Sequence, residues 1–153
     1  PENFRLIVYD GYDLGEIPDG SLDLLFSDQL VEHFHPEETA LHFEIANRIL
    51  KKGGQYIFRT PHALSGPHDI SKYFSDTPQG FHLKEWPYAE SRPALQKDRF
   101  AKVSARMMLK RRVFPLSFAY FTVLEKILSR FPHAKISGLA GTLIREIIIV
   151  AVK

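Results

Sequence analysis

The chain has 153 residues, 44% of them hydrophobic, a net charge of +2 and 25% charged residues. That is enough apolar material for one domain with a real core, and too even a charge balance for a dedicated nucleic-acid binder. The only dense basic run, Lys110-Arg111-Arg112, reads as a solvated turn. With no cysteine, disulfides and zinc-thiolate sites are excluded. The opening PENFRLIVYD lacks the basic start and apolar run of a signal peptide. No stretch approaches the ~18 uninterrupted apolar residues of a membrane span. A cytoplasmic location is the expectation. The chain opens on Pro1 and enters an apolar run within three residues, which suggests a fragment or a processed chain.

In chain order, Phe4 to Tyr9 (FRLIVY) is β-branched and aromatic and is punctuated by Asp10-Gly11, so it predicts a strand. After the Asp19-Gly20 turn signal, Leu22 to Phe26 predicts a second, short and nearly all apolar strand, covered on both faces. It stops at the polar trio Ser27-Asp28-Gln29. The next segment, HPEETALHFEIANRILKKGG, predicts a helix. Pro36 suits its first position, and Glu37 and Glu38 suit the positive end of its dipole. Leu41, Ile45 and Ile49, with Ala46 and Leu50, form one apolar stripe. Gly53-Gly54 is the expected left-handed cap. Gln55 to Thr60 is a third strand. Strand, helix and strand with short links make a βαβ unit with parallel strands and a right-handed crossover.

Residues 61–93 are rich in Pro, Gly, Ser and His and lack periodicity. A loop this long in a compact domain is usually functional or disordered, and its aromatics argue for order. A short helix fits within Glu85 to Lys97 and a strand fits Arg99 to Met107. A helix fits Pro115 to Phe131, with Leu116, Tyr120, Val123, Leu124, Ile127, Leu128 and Phe131 on a wide apolar face, read as core packing or a lid over the substrate. A final buried strand fits Leu143 to Val152.

This order of elements resembles the second half of class I S-adenosylmethionine-dependent methyltransferases. The likeness rests on Asp19-Gly20-Ser21-Leu22-Asp23, then Glu32-His33, then Leu50-Lys51-Lys52-Gly53-Gly54, with Lys52 where the family usually has Pro. The runs GPHDIS (Gly66 to Ser71) and GFHLKEW (Gly80 to Trp86) resemble a subgroup with a His-rich loop, and REIIIVAVK resembles the family's last strand. The resemblance implies an α/β, partial Rossmann-like methyltransferase fold. Its sheet would be mostly parallel with an antiparallel last strand, in one domain spanning 1–153 whose N-terminal part is missing. The order Leu22–Phe26, Gln55–Thr60, Leu143–Val152, Arg99–Met107 follows, with Phe4–Tyr9 the least firmly placed strand. The family's glycine-rich first loop and ribose-gripping acid have no counterpart here and would lie upstream of Pro1.

The resemblance also implies S-adenosylmethionine as cofactor and an unidentified methyl acceptor, expected to be a small molecule. In an open parallel sheet, ligands sit at the carboxyl ends of the strands. Ser27, Asp28 and Gln29 are therefore expected to line the cofactor pocket, the alternative being a plain strand-to-helix connector. By resemblance Asp10 and Gly11 contact the adenine, with Asp13 a rival for the role of Asp10, and His33 packs at the pocket edge. His35 is expected to cap the helix that starts at Pro36. The pair His33-x-His35 hints at a metal. Without cysteine or a paired acidic ligand at helical spacing, no metal is expected. His62, Asp69 and His82 fall where family members bind the acceptor. His68, beside Asp69, is the candidate general base, because a histidine titrates near working pH. The competing reading is a non-catalytic methyltransferase-like module that serves as a scaffold or partner.

Overall fold

The computed structural model describes residues 3–9, 13–109 and 112–153. The chain forms an α/β structure around a five-stranded mixed sheet. Its elements are β1 (Leu22–Asp28), α1 (Pro36–Ile49), β2 (Leu50–Pro61), α2 (Tyr88–Lys97), β3 (Lys102–Leu109), β4 (Arg112–Leu116), α3 (Phe118–Leu128), α4 (His133–Leu143) and β5 (Glu146–Val152). The sheet order is β1-β2-β5-β3-β4. β1 and β2 are parallel, and β5 is antiparallel to both β2 and β3. β1, β2 and β3 therefore all point the same way, and their carboxyl ends meet at one end of the sheet, beside the start of β5. The expected order of four strands is present. β4, which pairs antiparallel with β3, extends it.

α1 forms as its sequence dictates. His35 is the N-cap, and its N–H donates to Glu38 Oε2 at 2.9 Å, half of a capping box. The helix ends four residues before Gly53, however, and β2 begins at Leu50. Gly53-Gly54 is not the helix cap. The two glycines make the irregular entry into β2, where the register against β1 shifts. Gly53 has φ +80°, and a Cβ on Gly54 would lie 2.9 Å from the Lys51 carbonyl and 3.0 Å from that of Leu22. Only glycine fits both demands.

Tyr56, Phe58, Ile147, Ile149, Ala151 and Ala105 are buried and share one face of the sheet through the strand register. Phe43 and Ala46 of α1, Leu95 of α2, Phe118, Phe121 and Leu128 of α3, and Trp86 complete this core. Tyr88 stacks on Phe121 with centroids 3.9 Å apart, and its hydroxyl donates to the Arg106 carbonyl at 2.8 Å and accepts from the Ile148 N–H at 3.2 Å. That hydroxyl closes the end of the β3–β5 ladder, and burial raises its pKa.

Four other expectations are corrected. Phe4–Tyr9 is not a strand; it is irregular, with Phe4, Leu6 and Val8 exposed, because no strand among the described residues offers it a ladder. β1 is covered on one face only, and Leu24 and Phe26 remain exposed on the other. The helix expected from Pro115 starts at Phe118, since Pro115 and Leu116 pair in β4. Its buried side is Phe118, Phe121, Glu125 and Leu128, while Tyr120, Val123 and Ile127 face outward. An all-round apolar helix gives periodicity no purchase on which side is inside. Finally, Leu143 closes α4, and the last strand begins at Glu146.

Candidate functional site

The carboxyl end of β1 delivers Ser27, Asp28 and Gln29 to the same sheet end as Thr60, His62 and Glu146. Their roles diverge. Ser27 turns inward: its hydroxyl lies 2.7 Å from that of Tyr56, which lies 3.0 Å from Nε2 of His42, whose Nδ1 lies 3.1 Å from the Tyr9 hydroxyl. Burial lowers the His42 pKa to about 4 and raises that of Tyr56. The Ser27 side chain thus belongs to an interior polar chain. Asp28 is held by Arg59, which donates from Nε and one terminal nitrogen, both at 2.6 Å. The Arg59 hydrogen bonds lower the Asp28 pKa. Gln29 adopts a left-handed backbone, φ +52°, pinned by its N–H to the Arg59 carbonyl at 2.9 Å. Such strain in a non-glycine residue is typical of functional turns. Asp10 and Gly11 lie outside the described residues.

The 61–93 loop is ordered by side chains as much as by its short turns. His62 is fully buried. Its Nδ1 accepts the Leu64 N–H at 3.0 Å, and its Nε2 lies 2.7 Å from Glu125 Oε1. Glu125 also accepts the N–H groups of Tyr88 (2.5 Å) and Ala89 (3.1 Å), capping α2 from a neighbouring helix. Both nitrogens of His62 are engaged and none of the ring is exposed. Asp69 caps the turn Ile70–Tyr73 through the Ser71 N–H (2.9 Å) and accepts the His82 N–H (3.2 Å). Burial alone would raise its pKa, but these donors bring it down to about 2. His68 Nε2 lies 2.8 Å from the Ser65 hydroxyl. Burial lowers the His68 pKa, against the pull of Glu85.

Sequence reasoning missed the residues that bind this loop to the strand end. Glu32 is fully buried; its Oε2 accepts the Thr60 hydroxyl at 2.7 Å, and its Oε1 has no partner. Its main-chain carbonyl accepts the N–H groups of Leu83 (2.7 Å) and Lys84 (3.2 Å). Glu85, also buried, accepts the His68 N–H (2.6 Å) and His82 Nδ1 (2.8 Å) through Oε1. Its Oε2 is unpartnered and sits where a Cβ on Gly66 would be, 1.7 Å from that position. His33 and His82 come edge to face, with centroids 5.1 Å apart. The Glu32-His33 pair was visible in the sequence, but its convergence with His82 across 49 residues was not. A cavity of about 260 Å³ is lined by Met107, Met108, Phe121 and residues 141–146.

Residues 1–58 match the family model described as a methyltransferase domain. No curated protein sequence matches the chain. Among solved structures, an S-adenosylmethionine-dependent methyltransferase from Archaeoglobus fulgidus aligns with 99% of this chain and 69% of its own, at 18% identity and a TM-score of 0.58. A putative methyltransferase in complex with the Haloferax volcanii Trm112 activator aligns with 95% of this chain and 59% of its own, at 18% identity and 0.58. Phosphoethanolamine N-methyltransferase 2 of Haemonchus contortus, in complex with S-adenosyl-L-methionine, aligns with 90% of this chain and 34% of its own, at 19% identity and 0.54. The chain thus spans from about a third to about two thirds of these structures, and their likeness gives the fold. Sequence match over residues 1–58 and fold together make the chain similar to S-adenosylmethionine-dependent methyltransferases.

Proposed function

We propose that this chain forms part of an S-adenosylmethionine-dependent methyltransferase acting on a small-molecule acceptor. One observation carries the reading. The family match, residues 1–58, covers β1, its polar carboxyl end and α1, the part of a parallel sheet where ligands bind. S-adenosylmethionine, when bound, supplies a methyl group activated on a sulfonium. The residues present suit such a group: the left-handed turn leaves Gln29 exposed beside the strand end. Asp10 and Gly11 remain the proposed adenine contacts, and Gln29 and His33 the proposed edge of the cofactor site. Asp28 holds Arg59 in place there.

His68, Asp69 and His82 stand on the acceptor side. His68, kept neutral by burial, is suited to take a proton from an acceptor, and Asp69 fixes the main chain that carries His82. Alignment and exclusion of water do the rest of the catalytic work. The test is calorimetric titration of S-adenosylhomocysteine into the full-length protein. Saturable binding is expected, weakened more by Asp10→Ala than by Asp13→Ala. No saturable binding would refute the reading. With methyl-labelled cofactor and a small-molecule extract as acceptor source, His68→Ala should lower transfer and leave S-adenosylhomocysteine affinity nearly intact.

A second reading, a partner-binding module without catalysis, draws on the outward apolar side chains of α3, Tyr120, Val123 and Ile127. Size-exclusion chromatography with light scattering on Val123→Lys against the parent would reveal an association through that face. A catalytically silent protein whose partner is released by the substitution would favour this module over the enzyme.

A further inference from the structure

We propose that Glu32, His33 and His82 form a binding site for one divalent transition-metal ion at the carboxyl end of β1 and β2. One ligand atom from each of the three lies within 4.8 Å of the others. Ligands of a single zinc-sized ion, each at ~2.0–2.2 Å from it, sit ~3–3.5 Å apart. Closing the set takes a shift of ~1 Å, a small pivot of the exposed His33 ring about its Phe81 contact.

The wiring around the three side chains matches that of a metal site. His33 Nδ1 lies 2.9 Å from the Phe81 carbonyl, and His82 Nδ1 lies 2.8 Å from Glu85 Oε1. Both neighbours are acceptors, so both Nδ1 atoms carry the proton and donate. Each Nε2 is thereby left with a bare lone pair. Metal-binding imidazoles are held in this way, by a carboxylate or a main-chain carbonyl behind the ring. The third ligand is independent support. Glu32 is fully buried and receives the Thr60 hydroxyl on one oxygen, while the other oxygen has no partner among the described residues. A buried, half-satisfied carboxylate is costly unless a donor or a cation completes it.

The site is also pre-assembled. The Leu83 and Lys84 N–H groups both bond the Glu32 carbonyl, and Asp69 holds the His82 N–H. These bonds fix the two loops against each other without using the three ligand groups. Two imidazoles and one carboxylate favour zinc, iron, cobalt or manganese over magnesium or calcium, and three protein ligands leave positions open to water or an acceptor oxygen. The inference rests on this geometry and stands whether or not the protein transfers a methyl group.

The test is titration of Zn²⁺ alone into the chelator-stripped full chain, followed by calorimetry and by metal analysis after dialysis. One Zn²⁺ per chain is expected, with Mg²⁺ at least ~100-fold weaker. His33→Ala, His82→Ala and Glu32→Gln should each weaken Zn²⁺ by ~10-fold or more. His35→Ala, two residues away and outside the cluster, should change nothing. His33 is exposed, so its variant remains folded by circular dichroism and keeps the test decisive. Less than stoichiometric Zn²⁺, equal affinity in the His33→Ala protein, or Mg²⁺ bound as tightly as Zn²⁺ would overturn the site. Since no S-adenosylmethionine is present, failure here leaves the methyl-transfer reading standing.

Discussion

Glu125 and Glu32 are both buried, one bonded to His62 just past β2 and the other to Thr60 within it, and treated oppositely by their surroundings. Glu125 receives His62 and the first two N–H groups of α2, so its two oxygens accept three donors. Glu32 receives one hydroxyl and keeps one oxygen bare. The same division runs through the surroundings. The interior chain Tyr9–His42–Tyr56–Ser27 links each polar atom to the next, whereas Glu85 beside His82 also keeps an unpartnered oxygen. Saturated polar groups stabilise a fold, and unsatisfied ones lower its stability unless a ligand completes them. One region therefore reads as scaffold and the other as site.

Substitutions put that contrast under strain, and the largest effect is expected at Glu125. Glu125→Ala leaves the buried His62 and the Tyr88 N–H without acceptors, at ~1–3 kcal/mol for each orphaned donor. A loss of ~3–5 kcal/mol in urea denaturation is expected, and a loss below ~1 kcal/mol would erase the distinction. His42 comes next. Its folded pKa, about 4, lies below the ordinary value of 6.5, so the unfolded chain binds a proton that the folded chain refuses. Its contribution is complete above pH 6.5 and is lost as pH falls through about 4. The scale is ~3 kcal/mol. His42→Gln should flatten the stability profile across that window, and an unchanged slope would count against the buried, neutral ring.

Tyr56→Phe removes the hydroxyl shared by Ser27 and His42, with an expected loss of ~1–2 kcal/mol. The smallest effect should have the opposite sign. In metal-free buffer Glu32→Gln keeps an acceptor for Thr60 and replaces the half-satisfied carboxylate with a neutral amide. Stability should rise by ~0.5–1 kcal/mol. A loss as large as that of Glu125→Ala would make Glu32 part of the scaffold.

Much of the scaffold was legible in the sequence because it is local. Pro36, the two glutamates and the apolar spacing specify α1, and IIIVAV specifies β5. The strand order followed from the family resemblance. What escaped is what joins distant segments. Glu125 sits in the middle of an apolar helix, where it reads as a solvent-facing charge; only its bond to His62, 63 residues away, turns it inward. Glu85 and His82 share a short motif with Trp86, yet nothing in its spacing aims them at His33. The glycines at 53 and 54 were read as a helix stop because that signal is shared by bulges and caps alike.

The two loops that carry His33 and His82 are tied together by main-chain atoms, through the Glu32 carbonyl and the Leu83 and Lys84 N–H groups. Any residue except proline can supply such bonds at 83 and 84. The positions that meet the ligand are thereby uncoupled from the positions that hold the loops. Sequence drift at 33 and 82 can alter the chemistry at the mouth of the site while the frame beneath it stays fixed, so a lineage built on this loop pair is free to exchange one ligand for another in single steps.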